Sequence, residues 1–162
     1  LPSRQFSDPN LVEGVVQNIE KSGFDAEFLK IETTESALMQ NAQRSVSMLN
    51  QLKDLNIKVC VDDFGTGYSS LSYLHTFPID TLKIDRSFVH DMSRNFRNME
   101  IIRTIIMLAH NLKLDVIAEG VETGEQDAQL SALGCQFAQG FYFSRPINSS
   151  DAALLIQQNH QW

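Results

Sequence analysis

Short apolar stretches of strand character alternate along this chain with longer segments whose apolar residues recur at helical spacing. The stretches predict strands near 28–33, 58–61, 81–84, 115–118 and 137–143. The longer segments predict helices over 8–22, 37–55, 98–112 and 124–133, a short helix starting near Ser69, and a last helix after Ser149-Ser150-Asp151. This alternation indicates parallel strands joined by right-handed helical crossovers.

Along each predicted strand, a polar residue at the carboxyl end shares a face with apolar residues deeper in the strand. Cys60, Ile117 and Phe137 are the deeper residues. A barrel interior has this pattern, with packed layers below and polar groups at the carboxyl rim. We therefore predict an α/β fold, a partial (β/α)8 TIM-like barrel of about five parallel strands, with an open doubly wound sheet as the alternative. The absence of a linker or low-complexity segment predicts one domain over residues 1–162.

Composition excludes several classes of function. Hydrophobic residues make up 43% of the 162 residues, which is typical of a globular protein. The net charge is −7 and there is no basic stripe, which argues against duplex nucleic acid as a partner. No apolar stretch approaches the roughly 20 residues of a membrane span, so no membrane contact by this segment is predicted. Cys60 and Cys135 form no disulfide framework or zinc spacing, and we expect buried thiols in a cytoplasmic protein.

Acidic residues stand where the predicted strands end. Glu32 lies at the carboxyl end of the first strand, Asp62 and Asp63 follow the second, and Glu119 and Glu122 follow the fourth. Carboxylates placed this way cost solvation energy unless a cation or a substrate compensates them, and their oxygens suit hard divalent ions. The pattern favours a metal-assisted enzyme over the simpler interpretation of the Asp pair, a helix cap beside a solvated acid.

Lys83 ends the third strand and shares a face with Asp85. Three roles fit this position: a Schiff base, a holder of a nucleophilic water or an anion, and a surface lysine. Neighbouring acids would keep the amine protonated, which disfavours the Schiff base.

Two nearby motifs have two interpretations each. The run Gly65-Thr66-Gly67 either cradles phosphate with its backbone N–H groups or forms a tight turn, and the turn is the commoner use. Glu35 either supports the acidic site or is a helix-start charge favoured by the helix dipole.

Five motifs follow one another along the chain: 31–36 (IETTES), 62–71 (DDFGTGYSSL), 82–85 (LKID), 118–123 (AEGVET) and 139–146 (QGFYFSRP). Together they resemble the C-terminal two-thirds of an EAL domain, the bacterial cyclic-di-GMP phosphodiesterase family. The resemblance covers essentially the whole chain. It implies a modified (β/α)8 barrel that hydrolyses cyclic-di-GMP to linear pGpG with two Mg²⁺ or Mn²⁺ ions, in signalling that regulates biofilms and motility.

The resemblance also implies a role for each candidate residue. Glu32, Asp62 and Asp63 would be metal ligands, Glu119 would be the general base, and Lys83 would hold the attacking water. Substrate contacts would come from Gln139, Glu122 and Asp63. The loop that supports these acids would include Glu35, which braces it, and Gly65, Thr66, Gly67 and Asp85.

The Glu-Ala-Leu motif that names the family is not in the sequence, and the resemblance places it, with a metal-binding Asn, before Leu1. The chain, which has no initiator Met, is therefore expected to be the C-terminal part of a single such domain, with sensory or GGDEF domains upstream in the parent. Five strands cannot close an eight-stranded barrel, so the chain alone is expected to be inactive or very weak and to form a homodimer. The alternative function is a non-catalytic cyclic-di-GMP receptor or protein-interaction module.

Overall fold

The computed structural model describes residues 3–6, 8–67 and 74–158. The strands in these ranges are β1 (Lys30–Thr34), β2 (Lys58–Phe64), β3 (Thr81–Ile84), β4 (Asp115–Glu119) and β5 (Phe137–Gln139). The helices are α1 (Ser3–Phe6), α2 (Leu11–Ser22), α3 (Glu35–Met39), α4 (Ala42–Asp54), α5 (Arg86–His90), α6 (Phe96–Asn111), α7 (Gly124–Ala132) and α8 (Ser149–Gln157). A short 3-10 helix, Ala26–Phe28, precedes β1.

The five strands form one parallel sheet in chain order, β1-β2-β3-β4-β5. A doubly wound sheet reverses its strand order at a switch point, whereas a barrel keeps successive strands adjacent. Among the described strands the order does not reverse, so the predicted barrel segment is confirmed over the open alternative.

The two faces of the sheet differ in how they are covered. On the outer face, Val59, Val61, Leu82, Ile84 and Val116 are fully buried. They form one apolar cluster with residues of α4 and α6, whose buried members include Leu49, Leu52, Ile102 and Ile106. The inner face carries the polar strand-end residues and an exposed phenylalanine, which shows that the helices cover the sheet from one side.

The segment predicted as one helix over 37–55 is two helices. Asn41 leaves the helical conformation, with φ −150°, and its side chain accepts a hydrogen bond from the Arg44 amide to begin α4. The Ser45 hydroxyl then donates to the Leu38 carbonyl at 2.8 Å, which joins the two helices across the break. Helical spacing alone did not reveal this break, because the apolar residues continue through it.

Other boundaries also differ from the prediction. β2 extends to Phe64, and β5 ends at Gln139 because the chain turns there. The last helix begins at Ser149, one residue after its Asn148 cap. The predicted left-handed residue Gly134 is confirmed, with φ +86°. The helix predicted near Ser69 lies outside the described residues.

Two remaining sequence predictions concern the thiols and the membrane. Cys60 is fully buried as predicted, whereas Cys135 is only half-buried. Burial raises the pKa of the Cys60 thiol to about 12. Among the described helices, none has the length and apolar character needed to cross a lipid bilayer.

Candidate active site

The carboxyl ends of the strands bring the predicted site residues to one edge of the sheet. The register pairs Glu32 with Cys60 and Glu119 with Gln139, so their side chains project from the same inner face. Lys83 pairs with Ile117 on the same face, one strand away from Asp62. The structure therefore brings these predicted residues together at one edge of the sheet.

Lys83 is the centre of this arrangement. Its side chain is only 5% exposed, and its Nζ lies 3.2 Å from Glu32 Oε1 and 3.2 Å from Asp62 Oδ1. It also contacts Glu119 Oε1 directly. One ammonium group is therefore shared by three carboxylates, on β1, β2 and β4.

The shared contact has different electrostatic effects on the lysine and on the acids. Burial alone would lower the pKa of Lys83, but the hydrogen bond to Glu119 and the charges of Glu119, Asp62 and Glu32 raise it above its usual value. Burial raises the pKa of Glu119; Lys83 opposes this, and the charges of Asp62 and Glu32 add to it. The lysine gains from all three acids, whereas each acid receives a share of one cation and repulsion from the other two. A lysine held protonated in this way is a poor Schiff-base nucleophile.

Asp62 and Asp63 reach the site together because the strand is irregular there. Adjacent strand residues normally point to opposite faces. The register between β2 and β3 shifts between Val61 and Phe64, and Asp63 has a left-handed backbone, with φ +54°. The bulge turns both carboxylates toward one place.

One oxygen from each of Asp62, Asp63 and Glu119 lies within 4.8 Å of the others. Burial and the charges of Asp62 and Asp85 raise the pKa of Asp63, with Lys83 opposing them. An oxygen donor set with surplus negative charge fits a hard divalent ion. Glu32, the third predicted metal ligand, lies outside this trio and joins the cluster through Lys83.

The loop after β2 is held by Glu35 and by its own hydrogen bonds. Glu35 is 6% exposed at the start of α3, and its Oε2 accepts a hydrogen bond from the Gly65 amide at 3.3 Å. The Thr66 hydroxyl donates to the Asp63 carbonyl at 2.8 Å, and Gly65 has φ +92°. The run 65–67 is thus the tight turn, with Gly67 beside Glu35. Glu35 is at once a helix-start residue and the brace of this loop.

Asp85 lies at the carboxyl end of β3 and caps α5. It accepts hydrogen bonds from the amide of Ser87, at 3.0 Å, and from its hydroxyl. Burial would raise the pKa of Asp85, but these hydrogen bonds lower it below the usual value. Asp85 therefore remains charged beside Asp63, which it influences electrostatically.

A cleft of about 530 Å³ opens next to Glu119. Gln139 Nε2 donates to Glu119 Oε1 at 2.7 Å at the edge of this cleft. The residues that line it include Arg86, Glu119, Glu122, Gln139, Phe141 and Arg145. Both predicted substrate residues of this region, Glu122 and Gln139, thus face the cleft.

Sequence reasoning missed the cationic and aromatic residues of the cleft. The Arg145 guanidinium lies 4.8 Å from the centre of the Phe141 ring, a cation–π arrangement. Both residues belong to the motif 139–146, and this membership could have identified them as site residues from the sequence. Arg86 gave no signal, because the α5 helix that carries it was not predicted.

Comparison with known sequences identifies the family. A sequence profile described as "EAL domain" matches residues 1–146. Cyclic di-GMP phosphodiesterase NbdA of Pseudomonas aeruginosa is 47% identical over 138 residues, which cover 85% of this chain and 18% of that protein. Signaling protein YkoW of Bacillus subtilis is 44% identical over 147 residues, which cover 91% and 18%. The chain thus spans about a fifth of the length of the curated relatives it matches.

Solved structures give the same result. The PaMucR phosphodiesterase, determined as a c-di-GMP complex, superposes with a TM-score of 0.91 at 38% identity, covering 94% of this chain and 62% of that one. Klebsiella pneumoniae BlrP1, determined as a manganese and cy-diGMP complex, superposes with a TM-score of 0.80 at 32% identity, covering 88% and 36%. The sequence motifs, the chain-order parallel sheet and these matches agree: the chain belongs to the EAL domain family.

Proposed function

We propose that this chain supplies the carboxyl-terminal part of a domain that hydrolyses cyclic-di-GMP to linear pGpG with Mg²⁺ or Mn²⁺. The observation that carries the proposal is the buried Lys83 among three carboxylates, with Asp63 beside them. One relative named as a cyclic di-GMP phosphodiesterase, a phosphodiesterase solved as a c-di-GMP complex, and a neighbour solved with manganese and cy-diGMP support the same chemistry.

Asp62, Asp63 and Glu32 would hold the divalent ions. Bound divalent ions supply positive charge that offsets the phosphodiester and makes a nearby water more acidic. The carboxylate surplus around Lys83 supports this assignment, because one ammonium leaves most of the negative charge at the strand ends uncompensated.

Glu119 is the general base of the proposal. Its carboxylate takes a proton from the attacking water, and its raised pKa brings it closer to the working pH, where a base is most effective. Gln139 orients Glu119 through the 2.7 Å hydrogen bond. Lys83 stays protonated and holds the water beside Glu119. Attack forms a bond between the water oxygen and phosphorus and breaks the bond to the 3′ oxygen, which takes a proton from solvent and leaves as a hydroxyl.

The cleft beside Glu119 receives part of the nucleotide. Glu122 and Gln139 offer polar groups to a guanine edge, and the Phe141 ring, 55% exposed, offers a stacking surface. Arg145 lies over the same ring and adds a positive charge near the phosphodiester.

The 162-residue chain alone is predicted to be inactive or very weak. Within the described residues β1 and β5 each have one unpaired edge, and Phe137 on the inner face is 54% exposed. Association with a second copy would cover part of this surface. Size-exclusion chromatography of the isolated chain, with a turnover assay of each fraction, checks both expectations, and a fully active monomer would contradict them.

Product analysis in the full-length protein tests the function directly. Cyclic-di-GMP is incubated with Mg²⁺, with Mn²⁺ and with EDTA, and pGpG is followed by chromatography. The proposal expects pGpG with either ion and none with EDTA. Tight binding of cyclic-di-GMP without any product would instead establish the receptor function.

A further inference from the structure

Gln126 is a buried amide that joins two segments of the site. It lies on α7 and is 6% exposed. Its Oε1 accepts from the amides of Glu122, at 2.8 Å, and Thr123, at 3.1 Å. Its Nε2 donates to the carbonyls of Val89, at 3.1 Å, and His90, at 3.3 Å. Both amide protons and the oxygen are therefore used.

Helix capping explains only part of this arrangement. Thr123 and Gln126 form a capping box, in which each side chain bonds the backbone of the other. A capping box requires one hydrogen bond from each partner. The contact with Glu122 lies outside this capping box, and so do both contacts with α5, 36 and 37 residues earlier in the chain, where the Gln126 amide bonds the last carbonyls of that helix.

The two segments that Gln126 joins follow the strands of the proposed hydrolytic pair. α5 begins two residues after the end of β3, the strand that contains Lys83. The loop that contains Glu122 begins directly after Glu119, the last residue of β4. The segments are in close contact, because a Cβ built on Gly120 would lie 2.6 Å from Arg86 Cβ. Gly120 has φ +72°, a conformation suited to glycine. The loop after β4 therefore rests on α5, and Gln126 fixes it there.

We propose that Gln126 is a positioning residue for Glu119 and Glu122. It holds the loop that begins directly after Glu119 and contains Glu122 at a fixed distance from the segment that follows Lys83. This inference rests on the proposed phosphodiesterase function for its kinetic readout, while its structural readout is independent of substrate.

Gln126→Glu is the informative variant, since it keeps the size of the side chain and the oxygen that accepts from Glu122 and Thr123. It replaces the donating nitrogen with an oxygen that faces two carbonyl oxygens. Gln136→Glu is the matched control, because Gln136 accepts from the Val116 amide near the amino end of the same β4 strand, away from the acids. Thr123→Ala removes the other half of the capping box without touching the contacts with α5.

In the full-length protein, Gln126→Glu is expected to lower kcat about 10- to 100-fold, since a misplacement of about 1 Å costs this much. KM is expected to rise by a smaller factor, because Glu122 contacts the substrate in the proposed function. Gln136→Glu and Thr123→Ala are expected to keep kcat within about two-fold of wild type. Amide exchange of the segment 119–126, followed by mass spectrometry without substrate, is expected to rise in Gln126→Glu and to stay unchanged in Gln136→Glu.

Unchanged exchange in Gln126→Glu would overturn the inference, and so would an unchanged kcat in a variant whose loop exchanges faster. An equal loss of kcat in Thr123→Ala would also overturn it, because capping alone would then be responsible. If the wild-type protein makes no pGpG, the proposed function fails, and the exchange data alone decide whether Gln126 holds the loop.

Discussion

Two lysine–carboxylate sites lie at opposite ends of the sheet, and they differ in charge balance. At the amino end, Lys53 Nζ lies 2.5 Å from Asp80 Oδ1, while Asp80 Oδ2 accepts from the Val59 amide at 2.7 Å. At the carboxyl end, Lys83 faces three carboxylates. The first site matches one cation with one anion, and the second has a clear surplus of anions.

Under the proposed function, this difference separates a structural ion pair from a functional cluster. The amino-end pair joins α4 to the start of β3 and needs no further group. The carboxyl-end cluster costs stability until positive charge is added, because each acid repels the others. Such a cost is retained at a site whose acids act on a bound ion or a substrate.

Removal of the proposed base gives the largest expected effect. Glu119→Gln keeps the shape of the side chain but cannot accept a proton, so we expect turnover in the full-length protein to fall about 10³-fold. Initial rates of pGpG formation measure this. Asp80→Asn at the amino end is the control and should retain turnover in the folded fraction. Robust hydrolysis by Glu119→Gln would show that Glu119 is not the general base.

Removal of each lysine compares the two sites by stability. Lys83→Met leaves three carboxylates without their shared cation and should cost about 3–5 kcal/mol in the free energy of unfolding. Lys53→Met breaks a pair whose lysine is 37% exposed and should cost less than about 1 kcal/mol. Urea unfolding in EDTA measures both. Equal losses would mean that the carboxyl-end cluster is an ordinary structural ion pair.

The sequence predicted this edge of the sheet well because period-2 geometry and strand order determine it. The predicted residues lie at the middle or in the carboxyl-end halves of their strands, and neighbouring parallel strands bring these positions together: Glu32, Asp62, Lys83, Glu119 and Gln139. The bulge that turns Asp63 toward Asp62 was not predictable in this way, since it depends on a positive φ at a single non-glycine residue.

Contacts between segments distant in the chain were also beyond sequence reasoning. The hydrogen bond from Gln126 to the Val89 carbonyl depends on the packing of α5, a five-residue helix with no clear periodicity. β5 is shorter than its apolar run implies because Gly140 lies against the Val121 backbone, where a Cβ would approach Val121 O to 2.1 Å. The chain turns there, with the Tyr142 amide donating to Val121 O at 3.0 Å.

Neutralising one acid at each site should change stability in opposite directions. Asp62→Asn can still accept from the Asp63 amide but removes one surplus charge, so the metal-free protein should gain up to about 1 kcal/mol. Asp80→Asn breaks the balanced pair and should lose stability. Melting temperatures in EDTA measure both changes, and Mg²⁺ should raise the melting temperature of wild type more than that of Asp62→Asn. A loss of stability in Asp62→Asn would contradict the charge surplus.

The smallest expected effect is a pH dependence of the free energy of unfolding, which arises from the same surplus of negative charge. The pKa of Glu119 in the folded protein lies above its ordinary value of 4.5, so the folded state holds this proton more tightly than the unfolded state does. Its contribution to stability is therefore complete below pH 4.5 and is lost as the pH rises through the folded pKa. Glu119→Gln resembles the protonated acid at every pH and serves as the reference.

In EDTA, the unfolding free energy of wild type minus that of Glu119→Gln should thus decrease as the pH rises from 4.5 toward neutrality. Urea titrations at several pH values measure this difference, and effects common to both proteins cancel. A difference that increases with pH would mean that the attraction of Lys83 for Glu119 outweighs burial and the repulsion from Asp62 and Glu32. The carboxyl-end cluster would then be as well balanced as the pair of Lys53 and Asp80, and its charge would no longer argue for a bound cation.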